Sequence, residues 1–484
     1  MRLNLIGSSL AIASLALSGC NSQNNDPPPI DNKAAPSEAQ WNDLTARQLR
    51  EAIDRRATHG LDHFRFEDTG STGGTGGPPD GERLTRVALA YAAALARGAV
   101  DPGKLYPAYT LPRPSPDLRR GLANALKVQK VDEWLESLAP QDDDYRKLGR
   151  AYLALRAQNA EPAAKIPATS KLLRPGAADP RMPAIARQLV ALDYLDASAA
   201  QGRRYDPAMV DAVRRLQLDY ALRQDGVIGD EVLGILNLSD ADRARAIAVN
   251  MERMRWLERS PPATRIDVNI ADARLTYWRD GKVADRRKVV VGKPDAETPQ
   301  LGSPIFRLVA NPTWTVPRSI ERKEIAGKGA GYLRRNHMMR KDGRIVQQSG
   351  PHNSLGLVKF DMRNQESIYL HDTPAKQLFA AVQRQRSHGC VRVDDALGFA
   401  DLLARDAGVL DQWHRARGTG KESFVSLPHE IPVRLLYQTV LFDADGAPIV
   451  RGDPYDWNGA IATALGFGAG KGWRLRANAD DLGP

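Results

Sequence analysis

The apolar positions change their period partway along the chain. From Trp41 to about Asp193 they recur every three or four residues: Leu49 and Ile53 share one face behind Thr45, the expected N-cap, and Leu84, Val87, Ala88, Tyr91 and Leu95 share another. Gly60 and Gly98 supply stops. This pattern predicts a helical scaffold over 41–193, broken by a Gly- and Pro-rich loop over 70–79. From about Arg265 the period drops to two, with Ile266, Val268 and Ile270 alternating with polar residues as a half-buried strand requires. Strands are expected at 275–278 and 283–291 around the turn Arg279-Asp280-Gly281-Lys282, then at 306–309, 357–360 and 367–370. A last pair over 432–442 is expected, with Asp445-Gly446 turning. The fold class is therefore multidomain α+β, helical first and mostly β later.

Three segments stand outside these two regimes. Over 319–350 the alternation gives way to a basic, Gly-containing stretch inside the β domain, which reads as an insertion: either a long surface loop or a cap over the active site. Over 194–240, Asp206-Pro207 makes a cap and first helical position, and Val210, Val213, Leu216 and Gln217 form one face. Asp225-Gly226-Val227-Ile228-Gly229 then bends the chain before Val232, Ile235 and Leu236. Ala212-Val213-Arg214-Arg215-Leu216-Gln217, that bend and Leu236-Asn237 together resemble the three-helix peptidoglycan-binding domain. Without the resemblance, the same residues make a helical hairpin with no ligand. The third segment, the extension 441–484, turns Gly- and Ala-rich after Asp456, and that last part is expected to be peripheral.

The first residues read as an export signal over 1–20: Arg2 is basic, 5–17 are apolar, and Leu17-Ser18-Gly19-Cys20 resembles the bacterial lipobox. That resemblance implies lipidation of Cys20, a tether to the inner or outer membrane rather than a span. Asn21 in place of Asp favours the outer membrane of a two-membraned, Gram-negative bacterium. The Asn-, Pro- and Ala-rich stretch 21–40 is the expected flexible linker. A chain of 484 residues has room for two to four domains. Its formal charge of +10 suits an acidic partner, and for an exported, periplasmic protein that is cell-wall polymer or lipid headgroup rather than nucleic acid.

If Cys20 is lipidated, Cys390 is the only thiol left of the two cysteines, in a compartment that oxidises idle thiols. It stands in Ser387-His388-Gly389-Cys390-Val391-Arg392, and His371 ends a predicted strand nineteen positions upstream. A strand end and a loop joined by one helical return can put His371 beside Cys390. A free thiol is only about 3% thiolate at pH 7, so an imidazole that takes its proton makes it a working nucleophile. The Gly389 and Cys390 amides are candidate oxyanion donors. The carbonyl or side chain of Asp372 is the candidate that orients the imidazole. A zinc site from Cys390, His388 and His371 would lack a fourth ligand, so no metal and no cofactor is expected.

His371, fifteen intervening residues and then Ser387-His388-Gly389-Cys390 resemble the signature of the L,D-transpeptidase (YkuD-type) catalytic domain. Val290-Val291-Gly292-Lys293, Thr298-Pro299, 311–317 and 350–356 follow in family order, so the resemblance covers roughly 264–440. It implies a mostly β catalytic domain with the insertion as a capping element, His371 as base, and His388 shaping the oxyanion loop. Ser387, Arg392, Trp314 and His352 become candidate substrate contacts. Arg392, where many members carry Asn, would either help hold the thiolate and bind a carboxylate or make a structural salt bridge; Trp314 lines either core or groove. The implied partner is the peptidoglycan stem peptide, with carbapenems as acylating inhibitors. A protein amine, water or a D-amino acid stays open as acceptor, and a non-catalytic wall-binding scaffold is the reading from another class.

Overall fold

The structure, a computed structural model, describes residues 40–66, 80–158, 165–168, 171–199, 202–220, 222–443, 445–468 and 470. The expected signal, Cys20 and nearly all of the linker, like the 70–79 loop, lie outside these residues. No helix among the described residues is long and apolar enough to cross a membrane.

Short acidic residues start the helices. Asp80, Asp117 and Asp142 each accept a backbone N–H three residues on. The first helix, Asp43–Asp54, is capped by Asn42 rather than by Thr45, which closes the reciprocal capping box from three residues inside. Leu49, Leu84, Tyr91, Leu126, Leu135, Leu148 and Tyr152 share one core. Helix Asp240–Trp256 runs through that core, and Val440, Val450, Ile461, Ala462 and Leu465 complete it. The C-terminal segment is thus no peripheral tail but the last layer of the scaffold. Its small Ala and Gly residues let helix Asn458–Ala464 approach closely.

A second core joins Met182, Ile185 and Leu189 of helix Met182–Ala191 to Val213, Leu216, Val232 and Ile235. The boundary expected at 193–194 is corrected by this packing, because the first helix of the three-helix unit precedes it. Gln217, buried in the unit, accepts from Gly226 N at 2.9 Å and donates to the Val227 carbonyl at 3.0 Å, fixing the Asp225-Gly226 bend.

The β domain contains, in chain order, β1 (Arg265–Asn269), β2 (Arg274–Arg279), β3 (Lys282–Gly292), β4 (Ile305–Ala310), β5 (Trp314–Thr315), β6 (Met338–Lys341), β7 (Arg344–Gln347), β8 (Val358–Met362), β9 (Leu370–His371), β10 (Gln385–Ser387), β11 (Val391–Val393), β12 (Ser423–Ile431) and β13 (Val433–Leu436). The large sheet runs β12-β4-β8-β9-β11-β3-β2-β1-β13, with β10 paired to β3. Helix Ala396–Asp406 covers it through Phe399, Ala400 and Leu403.

The insertion is not the strandless stretch its composition predicts. β6 and β7 form a hairpin around Asp342-Gly343, both with positive φ, and β7 pairs with β5. Trp314, Val316, Ile320, Ile325, Met338 and Ile345 give this small sheet a core of its own.

Candidate active site

The central strands β9 and β11 lie parallel, with Leu370 opposite Val391 and His371 opposite Arg392. Alternation along each strand then places Cys390, one residue before β11 and level with Tyr369, on the face that carries His371. The Val391 amide donates to the Tyr369 carbonyl at 3.1 Å, and the Cys390 thiol points at the Ser367 carbonyl, 3.7 Å away. The strands therefore carry Cys390 and His371 on one sheet face, and the chain between them runs through the short 3₁₀ turn Lys376–Ala380 and β10 rather than one helical return. Cys390 itself is half-buried.

His371 Nδ1 donates to the Asp372 carbonyl at 2.5 Å, which leaves Nε2 as the nitrogen able to take a proton. Of the two orienting groups considered in Asp372, the carbonyl does the work. The Asp372 carboxylate instead accepts from Leu357 N at 2.9 Å and pairs with Lys376. Burial, helped by the charges of Arg392 and Lys359, brings the His371 pKa down to about 3, against the pull of its bond to Asp372. Burial also raises the Cys390 thiol, while Tyr369, Lys359 and Arg392 pull it back down. The resting pair is thus a neutral thiol beside a neutral imidazole, not the partly ionised pair that an adjacent histidine alone suggests. A neutral imidazole is the form that can accept the proton when the thiol attacks.

Three expected contacts take other roles. Ser387 is buried and its hydroxyl donates to the Cys390 carbonyl at 2.6 Å while accepting from Gly389 N at 3.2 Å. It therefore brackets the nucleophile's turn from within instead of facing a substrate, and the Gly389 amide is engaged by it rather than aimed at an oxyanion. What Gly389 contributes is its φ of +115°, a conformation that favours glycine. Trp314 is buried in the core that the insertion shares, against which Tyr369 packs. His352 is exposed and stacks on His337, rings 5.3 Å apart and nearly parallel. Arg392 is buried at 4% exposure and bears on the pair through its charge. His388 Nε2 lies 2.6 Å from Glu324 of the insertion.

Sequence reasoning gave no role to Tyr369, Lys359, Thr298 or Tyr455. Tyr369 packs edge-on to His371 at 5.7 Å, its hydroxyl bonds to Cys390, and Lys359 Nζ sits 4.6 Å over its ring. Burial and the neighbouring Cys390 push its pKa well above the usual phenol range, so it stays a donor. Thr298 accepts from Gly292 N at 2.8 Å and donates to the Gly389 carbonyl at 2.7 Å, tying β3 to the nucleophile's turn. Tyr455 in turn accepts from Thr298 N and donates to the Gly292 carbonyl at 2.5 Å.

Fold and site together present a cysteine thiol and a carbonyl-bonded histidine on one face of a mostly β domain, an arrangement suited to acyl transfer. Residues 263–421 match the family model of the YkuD L,D-transpeptidase catalytic domain, residues 37–151 a scaffold domain, and residues 179–236 the model named "Putative peptidoglycan binding domain". The chain thus carries a YkuD-type L,D-transpeptidase catalytic domain together with a peptidoglycan-binding domain. A Haemophilus influenzae protein named "Putative L,D-transpeptidase" is 27% identical over 228 residues, which is 41% of this chain and 45% of that one. The chain therefore spans less than half the length of this relative. Among solved structures, an L,D-transpeptidase from Stackebrandtia nassauensis covers 56% of this chain and 96% of its own at 14% identity and a TM-score of 0.24. The catalytic domain of an E. faecium L,D-transpeptidase acylated by ertapenem covers 36% and 97% at 17% identity and a TM-score of 0.20.

Proposed function

We propose that the protein is a peptidoglycan L,D-transpeptidase. The observation that carries this is the placement of Cys390 and His371 on one face of adjacent strands, with His371 Nδ1 held by a carbonyl and Nε2 left to take the thiol proton. Cys390 Sγ attacks the carbonyl of the third residue of a tetrapeptide stem, meso-diaminopimelate, and its proton passes to His371 Nε2. As the tetrahedral intermediate collapses, His371 returns that proton to the amine of the departing D-alanine, leaving a thioester on Sγ. The amine of a neighbouring stem then attacks the thioester. His371 takes the amine's proton and passes it to the leaving thiol, which yields a 3→3 crosslink. The three-helix unit and the basic charge of the chain support a location at the wall outside the cytoplasm, and the lipobox-like Leu17-Ser18-Gly19-Cys20 supports a lipid tether, in the outer membrane by the Asn21 criterion.

Incubation with a disaccharide-tetrapeptide, followed by mass spectrometry, tests the reading. Crosslinked dimer from the wild type and none from Cys390→Ala supports it. Tripeptide without dimer points to water as acceptor, and retention on sacculi without turnover points to a scaffold. A carbapenem should add its mass to the wild type and not to Cys390→Ala.

A further inference from the structure

Among the side chains that this chemistry leaves unused, Glu324 reaches the catalytic turn from a separate small core. It lies in the single π-helical turn Glu321–Ile325 of the insertion, a rare geometry concentrated at functional positions. The turn is anchored on both sides: Ile320 and Ile325 are buried with Trp314, Val316 and Ile345, while Glu321 holds Arg318 at 3.0 Å and Arg340 at 3.5 Å. Glu324 reaches away from these anchors, and its Oε1 lies 2.6 Å from His388 Nε2, within ion-pair range although off the line of a hydrogen bond. Side-chain exposures of 33% and 15% remove this pair from the fully solvated regime in which ion pairs contribute little.

His388 sits in the turn that needs holding. Ser387 Oγ brackets that turn from one side and Thr298 grips the Gly389 carbonyl, but the glycine between them has a wide choice of backbone states. The insertion's core also packs on Tyr369, two residues before His371. It therefore reaches both segments that lead into the strands of the candidate pair.

We propose that Glu324 is a positioning residue for Cys390: the insertion, through Glu324, fixes the His388 imidazole and with it the Ser387–Cys390 turn, so that the nucleophile is presented when the insertion is seated. The transfer of a stem peptide in this account rests on the transpeptidase reading, whereas the geometry of the turn does not. The test compares Glu324→Ala and Glu324→Gln in the full chain by two assays: crosslinking of the disaccharide-tetrapeptide, and alkylation of Cys390 by iodoacetamide well above the thiol midpoint, which needs no peptidoglycan. Glu324→Ala should lower kcat roughly 10- to 100-fold with KM changed by no more than about twofold, the scale on which a misplaced catalytic group acts. Its alkylation should become faster as the turn loosens, while the melting temperature holds. Glu324→Gln, which keeps the shape of the side chain and an oxygen facing Nε2, should restore most of both. Wild-type kcat and alkylation in Glu324→Ala, a rise in KM alone, or Glu324→Gln as damaged as Glu324→Ala would each overturn the assignment. Absence of crosslinking by the wild type itself would sink the transpeptidase reading and leave the alkylation comparison to decide the role of Glu324.

Discussion

Tyr369→Phe removes one oxygen from the site and nothing from the packing of the ring against His371. That oxygen is a hydrogen-bond donor to Cys390 and one of the groups that lower the thiol pKa against the cost of burial. A hydrogen bond to a charged acceptor contributes about 1.5–3 kcal/mol. Its loss should raise the thiol midpoint and cut the thiolate population near neutral pH by roughly 10- to 100-fold. A thiolate of higher pKa is also more nucleophilic, with a Brønsted slope of about 0.4–0.5, so near neutral pH the net fall in alkylation rate is roughly 4- to 15-fold. The assay is the pH dependence of iodoacetamide alkylation in a Cys20→Ala background, where Cys390 is the sole cysteine. The variant's curve should move to higher pH and match or pass the wild type once both thiols are ionised. An unmoved midpoint, with rates within about twofold of wild type at every pH, would refute a role for the hydroxyl in holding the thiolate.

The depressed pKa of His371, about 3 against an ordinary 6.5, means that the folded protein binds fewer protons than the unfolded chain between those two values. Stability should therefore fall as pH drops through that window, by roughly 3–6 kcal/mol in all, and denaturant titrations across it should lose this slope in His371→Gln. Thr298→Val strands the Gly292 amide and the Gly389 carbonyl that Thr298 now joins; a loss of about 2–4 kcal/mol in urea unfolding, with reduced turnover, is expected. Gly389→Ala forces a β-carbon into φ +115°, which costs about 1–3 kcal/mol and should abolish crosslinking while leaving far-UV circular dichroism unchanged.

The reacting pair was legible because its chemistry is local: Ser387-His388-Gly389-Cys390 is four consecutive residues, and His371 sits at the end of an apolar run. Tyr369 was hidden inside that run, although positions 367, 369 and 371 share a face in any extended strand and the alternation could have found it. The insertion's hairpin had its signal in Asp342-Gly343, masked by the basic residues around it. Helical periodicity identifies a buried face but not the core that buries it, which is why helix Met182–Ala191 was given to the wrong unit. The brace of Tyr455 on Thr298 joins residues 157 apart and leaves no local trace in the sequence.

Helix Asp240–Trp256 and the strands and helix from Val440 to Leu465 close a core begun at Leu49, with the whole β domain strung between them. The scaffold is thus one body made from two segments far apart in sequence. During synthesis it remains open on one side until the β domain has been made. Tyr455 belongs to that same closing segment, so the nucleophile's turn receives its last support only as the scaffold is sealed. Cys390 and His371 leave the ribosome well before Tyr455 does, and this order delays the bracing of the thiol's turn until the β domain is complete.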